Sequence, residues 1–232
     1  MPVGVLVNGF AVLVGGTLGA VIGHWIPEKI SKALTNVFGL AALALGISLI
    51  IQFDSLSPVI LALIIGTIIG EFLDLEKMLS VNLYKLESKL PGNKMTQEHI
   101  DILISMIILF CFSGTGIFGA MDSAISGDHS VLITKSILDF FTAFIFGSIV
   151  GYLIGAIAVP QVIIGTLLFI IGGTLIPFLS EAMIGDFKAL GGIITFAVGV
   201  KISKIKTYDI INTLPSLIIV LPMSYLFSLL PF

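Results

Sequence analysis

Apolar runs of bilayer-crossing length recur along the whole chain, at about 3–24, 33–52, 58–73, 100–121, 131–154, 160–179, 187–202 and 210–230. Each is close to the ~20 residues a helix needs to cross a hydrocarbon core. Lipid offers the backbone no hydrogen-bond partners, so a spanning segment must pair its own amides, as a helix does. The pattern predicts an all-α polytopic bundle of about eight transmembrane helices. Only 11% of the residues are charged and 57% are hydrophobic. A soluble domain carries about a quarter of its residues charged, so the outer surface of this chain must face lipid. Residues 1–232 read as a single transmembrane domain, with the bilayer as its first partner. The N-terminus has no basic region and no small-residue cleavage site, so 3–24 reads as a retained first span.

The longest polar stretch, 74–98, falls between spans three and four. Leu75, Met78, Leu79, Leu83 and Leu86 recur at helical spacing among Lys77, Lys85, Glu87 and Lys89. This predicts an amphipathic helix on the membrane surface, ended near Pro91-Gly92. A plain connector helix fits the same pattern. Lysine placement predicts orientation. With the N-terminus outside, Lys29, Lys32, Lys77, Lys85, Lys89, Lys94, Lys201, Lys204 and Lys206 fall inside, leaving Lys135 and Lys188. Both termini are therefore expected outside, with Trp25 at the inner interface.

The ends of the chain resemble each other. Val14-Gly15-Gly16-Thr17-Leu18 in span one matches Ile171-Gly172-Gly173-Thr174-Leu175 in span six. Gly39, Ala44 and Gly46 in span two match Gly192, Ala197 and Gly199 in span seven. Under the expected topology the copies run in opposite directions. That predicts an inverted repeat of spans one to three and six to eight, an arrangement common in secondary transporters. Chance likeness between glycine-rich helices is the competing explanation. Glycines spaced by four, such as Gly15, Gly19 and Gly23, or Gly66 and Gly70, let helices approach closely. They serve packing within one chain or between copies in a homo-oligomer.

The most informative segment is Cys111-Phe112-Ser113-Gly114-Thr115-Gly116-Ile117-Phe118-Gly119. Three glycines and two hydroxyls within seven residues weaken a continuous helix. Either the helix breaks, freeing carbonyls and half-helix ends that bind ions or polar solutes, or it continues and the glycines pack. Lys135 and Asp139, one turn apart in span five, face the same side. They form an interfacial salt bridge, with Lys135 reaching for the headgroups, or Asp139 lines a cavity and binds a cation or proton. Asn8 is an amide inside span one. Asp122 and Asp128 are entrance candidates or solvated loop acids. Thr17 and Thr174 occupy matching repeat positions and can return their hydroxyls to their own helices. Glu181 and Asp186 precede span seven, where helix capping is expected. Glu71 and Asp74 lie near Lys77, where an interfacial ion pair is expected.

Ser113-Gly114-Thr115-Gly116 through Gly119, Gly127-Asp128, Lys135-Ser136 and Leu138-Asp139 resemble the central signature of the YdfK/YqgA family. Gly4, Asn8, Ile26-Pro27, and Gly191-Gly192 through Lys201 to Leu214-Pro215 are similar to it as well. The resemblance implies a multipass bacterial inner-membrane protein and names no substrate.

Other chemistry is poorly represented. The sequence holds no arginine, one cysteine (Cys111) and three histidines (His24, His99 and His129). It has no HExxH, Gly-x-Ser-x-Gly or phosphate-loop motif. An enzyme, a cofactor site, a metal site and a nucleic-acid partner are not expected. The leading expectation is a transporter or channel for an ion or small polar solute. Asn8, Ser113, Gly114, Thr115, Gly116, Lys135 and Asp139 would line its path. The alternative is a non-transport membrane scaffold.

Overall fold

A computed structural model describes residues 1–87 and 96–229. Lys89, Lys94 and the expected helix stop at Pro91-Gly92 lie outside the described residues. Within them the helices are α1 (Val3–Ile22), α2 (Glu28–Ile50), α3 (Leu56–Phe72), α4 (Leu75–Glu87), α5 (Gln97–Cys111), α6 (Gly114–Ser126), α7 (Ser130–Val150), the short α8 (Leu153–Ala156), α9 (Ala158–Leu175), α10 (Glu181–Ile202) and α11 (Ser216–Ser228). No strand occurs among the described residues.

Among the described residues, seven stretches are long and apolar enough to cross a bilayer: α1, α2, α5 with α6, α7, residues 153–178, α10 and residues 210–228. The helix α3 together with Leu75–Lys85 of α4 makes an eighth candidate, bent by 50° between them. Packing direction decides whether α3 counts as a crossing. Along α1, Gly4 meets Leu132, Gly15 meets Phe140, Gly19 meets Phe144 and Gly23 meets Ser148. Both sets of numbers rise together, so α1 and α7 run parallel. Two crossings between them, α2 and α5–α6, would make them antiparallel. A third is required, and α3 supplies it. The eight-span order also demands that α2 and α10 run antiparallel. They do: Gly39 meets Ser203, Gly46 meets Phe196, Gly192 meets Ile50 and Gly199 meets Leu43.

These contacts explain the glycine spacing. At Gly15 and Gly19 the neighbouring atoms are backbone carbonyls of α7, and at Gly66 and Gly70 they are the backbone of Ser216 and Asn212. A methyl group at these positions would collide with main chain, which cannot turn aside. Apolar side chains gain little from leaving lipid for protein, so close backbone packing holds such bundles together. The helix α10 and the α5–α6 segment sit innermost, with 67% and 61% of their span windows buried. The α2 window is 22% buried and turns Val37, Leu40 and Ile47 outward as a lipid-facing surface.

Two boundaries differ from the sequence expectation, and one alternative that the sequence left open is decided. Span four is two helices, because α5 stops at Cys111 and α6 starts at Gly114. Span five stops at Val150, where Gly151 takes φ 93° and ψ −158°, a conformation open essentially to glycine alone. Span eight opens with a single 3-10 turn at Ile210–Thr213 before α11. The break in span four positions the site described next.

A buried ion pair at the broken fourth span

The break is built by Ser113. Its backbone is extended (φ −67°, ψ 141°), and its hydroxyl accepts the Gly116 amide at 3.3 Å as the N-cap of α6. An extended residue cannot continue the α5 ladder, so carbonyls in the last turn of α5 lose their helical donors. Phe112 still donates to the Ile108 carbonyl. The next carbonyl, Leu109, receives Lys135 Nζ from α7 at 3.5 Å. The glycines of the break are small for stated reasons. Gly114 lies against Gly191 of α10, and a methyl at Gly116 would press on Lys135 Cε at 3.1 Å.

Lys135 pairs with Asp139 one turn along α7, and both side chains are buried, 6% and 3% exposed. The lysine does not reach toward headgroups. Its ammonium lies inside the bundle, 5.9 Å from the centre of the Phe110 ring. Asn8 of α1 donates its amide to Asp139 Oδ2 at 2.8 Å. Gln161 of α9 donates to Asn8 Oδ1 at 2.6 Å. Four buried side chains from three helices thus form one chain of contacts, Lys135–Asp139–Asn8–Gln161, seated on a carbonyl released by a fourth. Taking two opposite charges out of water costs several kcal/mol per ion, and only close pairing with further hydrogen bonds offsets it.

The structure therefore brings Asn8, Ser113, Gly114, Gly116, Lys135 and Asp139 to one place. Thr115 stands beside them, its hydroxyl buried and without a hydrogen-bond partner among the described residues. The other candidates lie elsewhere. Asp122 is in α6 beside Ser126, 3.4 Å away. Asp128, in the turn before α7, accepts the Ser130 amide at 2.8 Å and its hydroxyl at 2.9 Å. These two donors hold the Asp128 carboxyl below its usual range. Thr17 donates to the Leu13 carbonyl at 2.7 Å and Thr174 to the Ile171 carbonyl at 2.8 Å, each within its own helix.

Sequence reasoning missed Gln161, the lone amide in an otherwise apolar run. The signal that picked out Asn8 applies to it equally. A second buried network was missed entirely. Lys201 of α10 reaches Glu76 of α4 at 2.7 Å. The other Glu76 oxygen accepts the Ile211 amide at 2.9 Å, and Asn212 Oδ1 accepts the Glu76 amide at 2.9 Å. Here the buried acidic partner is Glu76, not the Glu71 or Asp74 expected to pair near Lys77. Asp186 also differs from expectation. Ser180 caps α10, accepting the Met183 amide at 3.3 Å. Asp186 is buried and accepts the Asp54 and Ser55 amides at 3.0 and 2.9 Å, and the Ser224 hydroxyl at 2.7 Å. It thereby serves the start of α3 rather than of its own helix. Among the described residues no group of three or more His, Cys, Asp or Glu side chains converges as a metal site.

The fold and these networks define a multipass helical membrane protein with ion pairs locked inside its bundle. The chain belongs to the family described as Protein of unknown function (DUF554), which it matches over residues 3–225. It is 39% identical over 230 residues to the "Uncharacterized protein YqgA" of Escherichia coli (strain K12), covering 97% of each chain. It is 28% identical over 220 residues to the "Uncharacterized membrane protein YdfK" of Bacillus subtilis (strain 168), covering 93% of each. No solved structure matches the fold.

Proposed function

We propose that this chain is a transporter or channel for an ion or small polar solute, with its path at the break in span four. One observation carries the reading. The Lys135–Asp139 pair is buried in the membrane-spanning part of the bundle, against a carbonyl that the break releases. Ionisable groups in spans are costly, and they mark solute and proton pathways more often than packing sites. Discontinuous helices place ligands for such solutes at depth.

Two further features support it. Each pair of spans that the expected repeat relates packs antiparallel: α2 with α10 as above, α3 with span eight (Gly66 on Ser216 of α11, Gly70 on Asn212 of its opening turn), and α1 with α9 (Gly9 on Val162, Gly165 on Val5). An inverted repeat whose two-fold axis lies in the membrane plane requires that relation. The lysine bias favours a lysine-rich inner face with both termini outside, and the bacterial relatives favour a bacterial inner membrane. The reading contains no enzymatic step, cofactor or nucleic-acid partner.

The test is solute flux into proteoliposomes, by tracer uptake and by current, across a panel of cations, anions, amino acids and organic acids. A solute-specific flux that Asp139→Asn abolishes supports the path proposed here. A flux indifferent to Asp139→Asn moves the path away from α7. A non-transport scaffold is the second reading, favoured by the closure of the network: Asp139 is 2% exposed and hydrogen-bonded by its own chain. Single cysteines at positions 113, 115 and 139, in a chain whose Cys111 is replaced, separate the two. Labelling by a water-borne reagent favours transport, and protection of all three favours the scaffold.

A further inference from the structure

Two buried carboxylates stand at the two ends of α3, whose 17 residues rise about 25 Å. At its start, Asp186 of α10 accepts the Asp54 and Ser55 amides, with the Ser224 hydroxyl of α11 as a third donor. Just past its end, Glu76 accepts the Ile211 amide in the turn that opens span eight and pairs with Lys201 in the last turn of α10. Asp186 is 1% exposed and Glu76 5%. The held amides occupy the same register: Asp54 lies four residues before Pro58, and Ile211 four before Pro215. Each carboxylate thus fastens the opening of one span of the pair α3 and span eight, and does so from the opposite half of the chain.

The helices between these ends repeat their contacts under a shift of 153 residues, the separation of Asn8 from Gln161. The shift carries Gly39 to Gly192 and Ile50 to Ser203, so the contact of Gly39 with Ser203 becomes that of Gly192 with Ile50. It likewise exchanges Gly46 on Phe196 for Gly199 on Leu43. Asn8 and Gln161, related by the same shift, hydrogen-bond to each other. Two residues that a two-fold axis exchanges can touch only where the axis passes. Asn8 also donates to Asp139, so such an axis runs beside the Lys135–Asp139 pair, with one buried carboxylate toward each face.

We propose that Asp186 and Glu76 are the two gates of an alternating-access cycle, each opening one face of the bundle toward the Lys135–Asp139 pair while the other stays shut. This rests on the transport reading and says how its site is reached. Both gates are shut in this structure. A charged latch suits the task. Shut, the carboxylate is dry and its donors offset the cost of burial; open, water solvates it and offsets the bonds lost. An apolar plug would lose its burial on opening with no such return.

The test is the sidedness of thiol labelling. Thr115 lies in the break, and its hydroxyl has no hydrogen-bond partner among the described residues, so Thr115→Cys in a chain carrying Cys111→Ala is a mild reporter. A membrane-impermeant maleimide is applied to right-side-out and to inside-out vesicles. Lys77→Cys, at an exposed position beside Glu76, marks the Glu76 face in a parallel sample. Glu76→Gln with Lys201→Met removes the ion pair and leaves no lone charge. It should speed labelling of the reporter about tenfold or more from the Glu76 face alone, the population shift for losing a charge-assisted hydrogen bond. Asp186→Asn should do so from the opposite face alone. Folded variants that label no faster than the parent, equally from both faces, or from the wrong face overturn the proposal. If a variant does not fold, hydrogen exchange of the unmodified chain decides. The Ile211 amide and the Asp54 and Ser55 amides should exchange well before those inside α10, and exchange at either end as slow as the α10 interior overturns it. Solute flux in proteoliposomes without sided opening leaves the transport reading standing and ends this one. Absence of flux, with the reporter protected in every folded variant, ends both.

Discussion

Lys201 Nζ lies 2.7 Å from Glu76 Oε1, tying the last turn of α10 to the first turn of α4 across 125 residues of sequence. The same carboxylate holds the Ile211 amide, so one side chain fastens α4, α10 and the turn that opens span eight. Truncating one member of a buried pair leaves a charge without compensation, at a cost of about 3–5 kcal/mol. Lys201→Met should therefore lower the thermal midpoint sharply in detergent. The double variant Lys201→Met with Glu76→Gln should recover much of that loss. A double variant no more stable than the single one would show that the charge is not the source.

Glycine substitutions should separate contact sites from open ones. A side chain at Gly19 meets the Phe144 backbone, whereas one at Gly173 finds only Ala124 Cβ at 3.9 Å. Gly19→Ala should push α1 from α7 and cost about 1–3 kcal/mol, the usual range for overpacking. Gly173→Ala should stay within about 0.5 kcal/mol of wild type, as surface substitutions do. Thermal unfolding of the two variants side by side checks the assignment.

Asn8 donates to a buried carboxylate, and its loss leaves both Asp139 and Gln161 short of a partner. Asn8→Leu should destabilise by about 1–3 kcal/mol, the penalty for unsatisfied buried polar groups. The measurement is the shift of the thermal transition, compared with Asn8→Asp. That second substitution keeps the shape but places two carboxyls together, so at neutral pH it should be the worse of the two.

The Asp128 carboxyl is exposed, and the backbone and hydroxyl donors of Ser130 hold it below the ordinary carboxylate range. A depressed carboxyl stabilises the fold above its unfolded value and loses that contribution as pH falls through the folded value. The stability difference between wild type and Asp128→Ala should thus be present at neutral pH and vanish in acid below that range. A pH series of thermal transitions for the two proteins reads it. A difference that grows in acid would reverse the sign and remove Ser130 as the cause.

Much of the fold was written in one-dimensional pattern. Apolar run length gave the spans, since the bilayer thickness is fixed and a helix rises by a constant amount per residue. Glycines spaced by four gave the contact faces for the same reason, because helical periodicity puts them on one side. The weakened helix at Ser113–Gly119 and the Lys135–Asp139 spacing were also local, and the broken span and the pair follow from them. Gln161 carried a local signal as clear as that of Asn8. Glu76 did not: within the charged pattern of residues 74–98 nothing sets it apart from Glu87, and only its tertiary partners bury it.

The sequence by itself determined that this chain lives in a membrane, crosses it as helices, and carries a lysine and an aspartate on one face of span five. Those are consequences of composition and period, which act over a few residues. Tertiary structure decided which helices run side by side and where span four is entered by Lys135. It also decided that Asp139 would meet Asn8 and Gln161, and that Glu76 would meet Lys201. Such pairings join residues more than a hundred positions apart. Their energy depends on the burial that the neighbouring helices create, and no local stretch of sequence contains that environment.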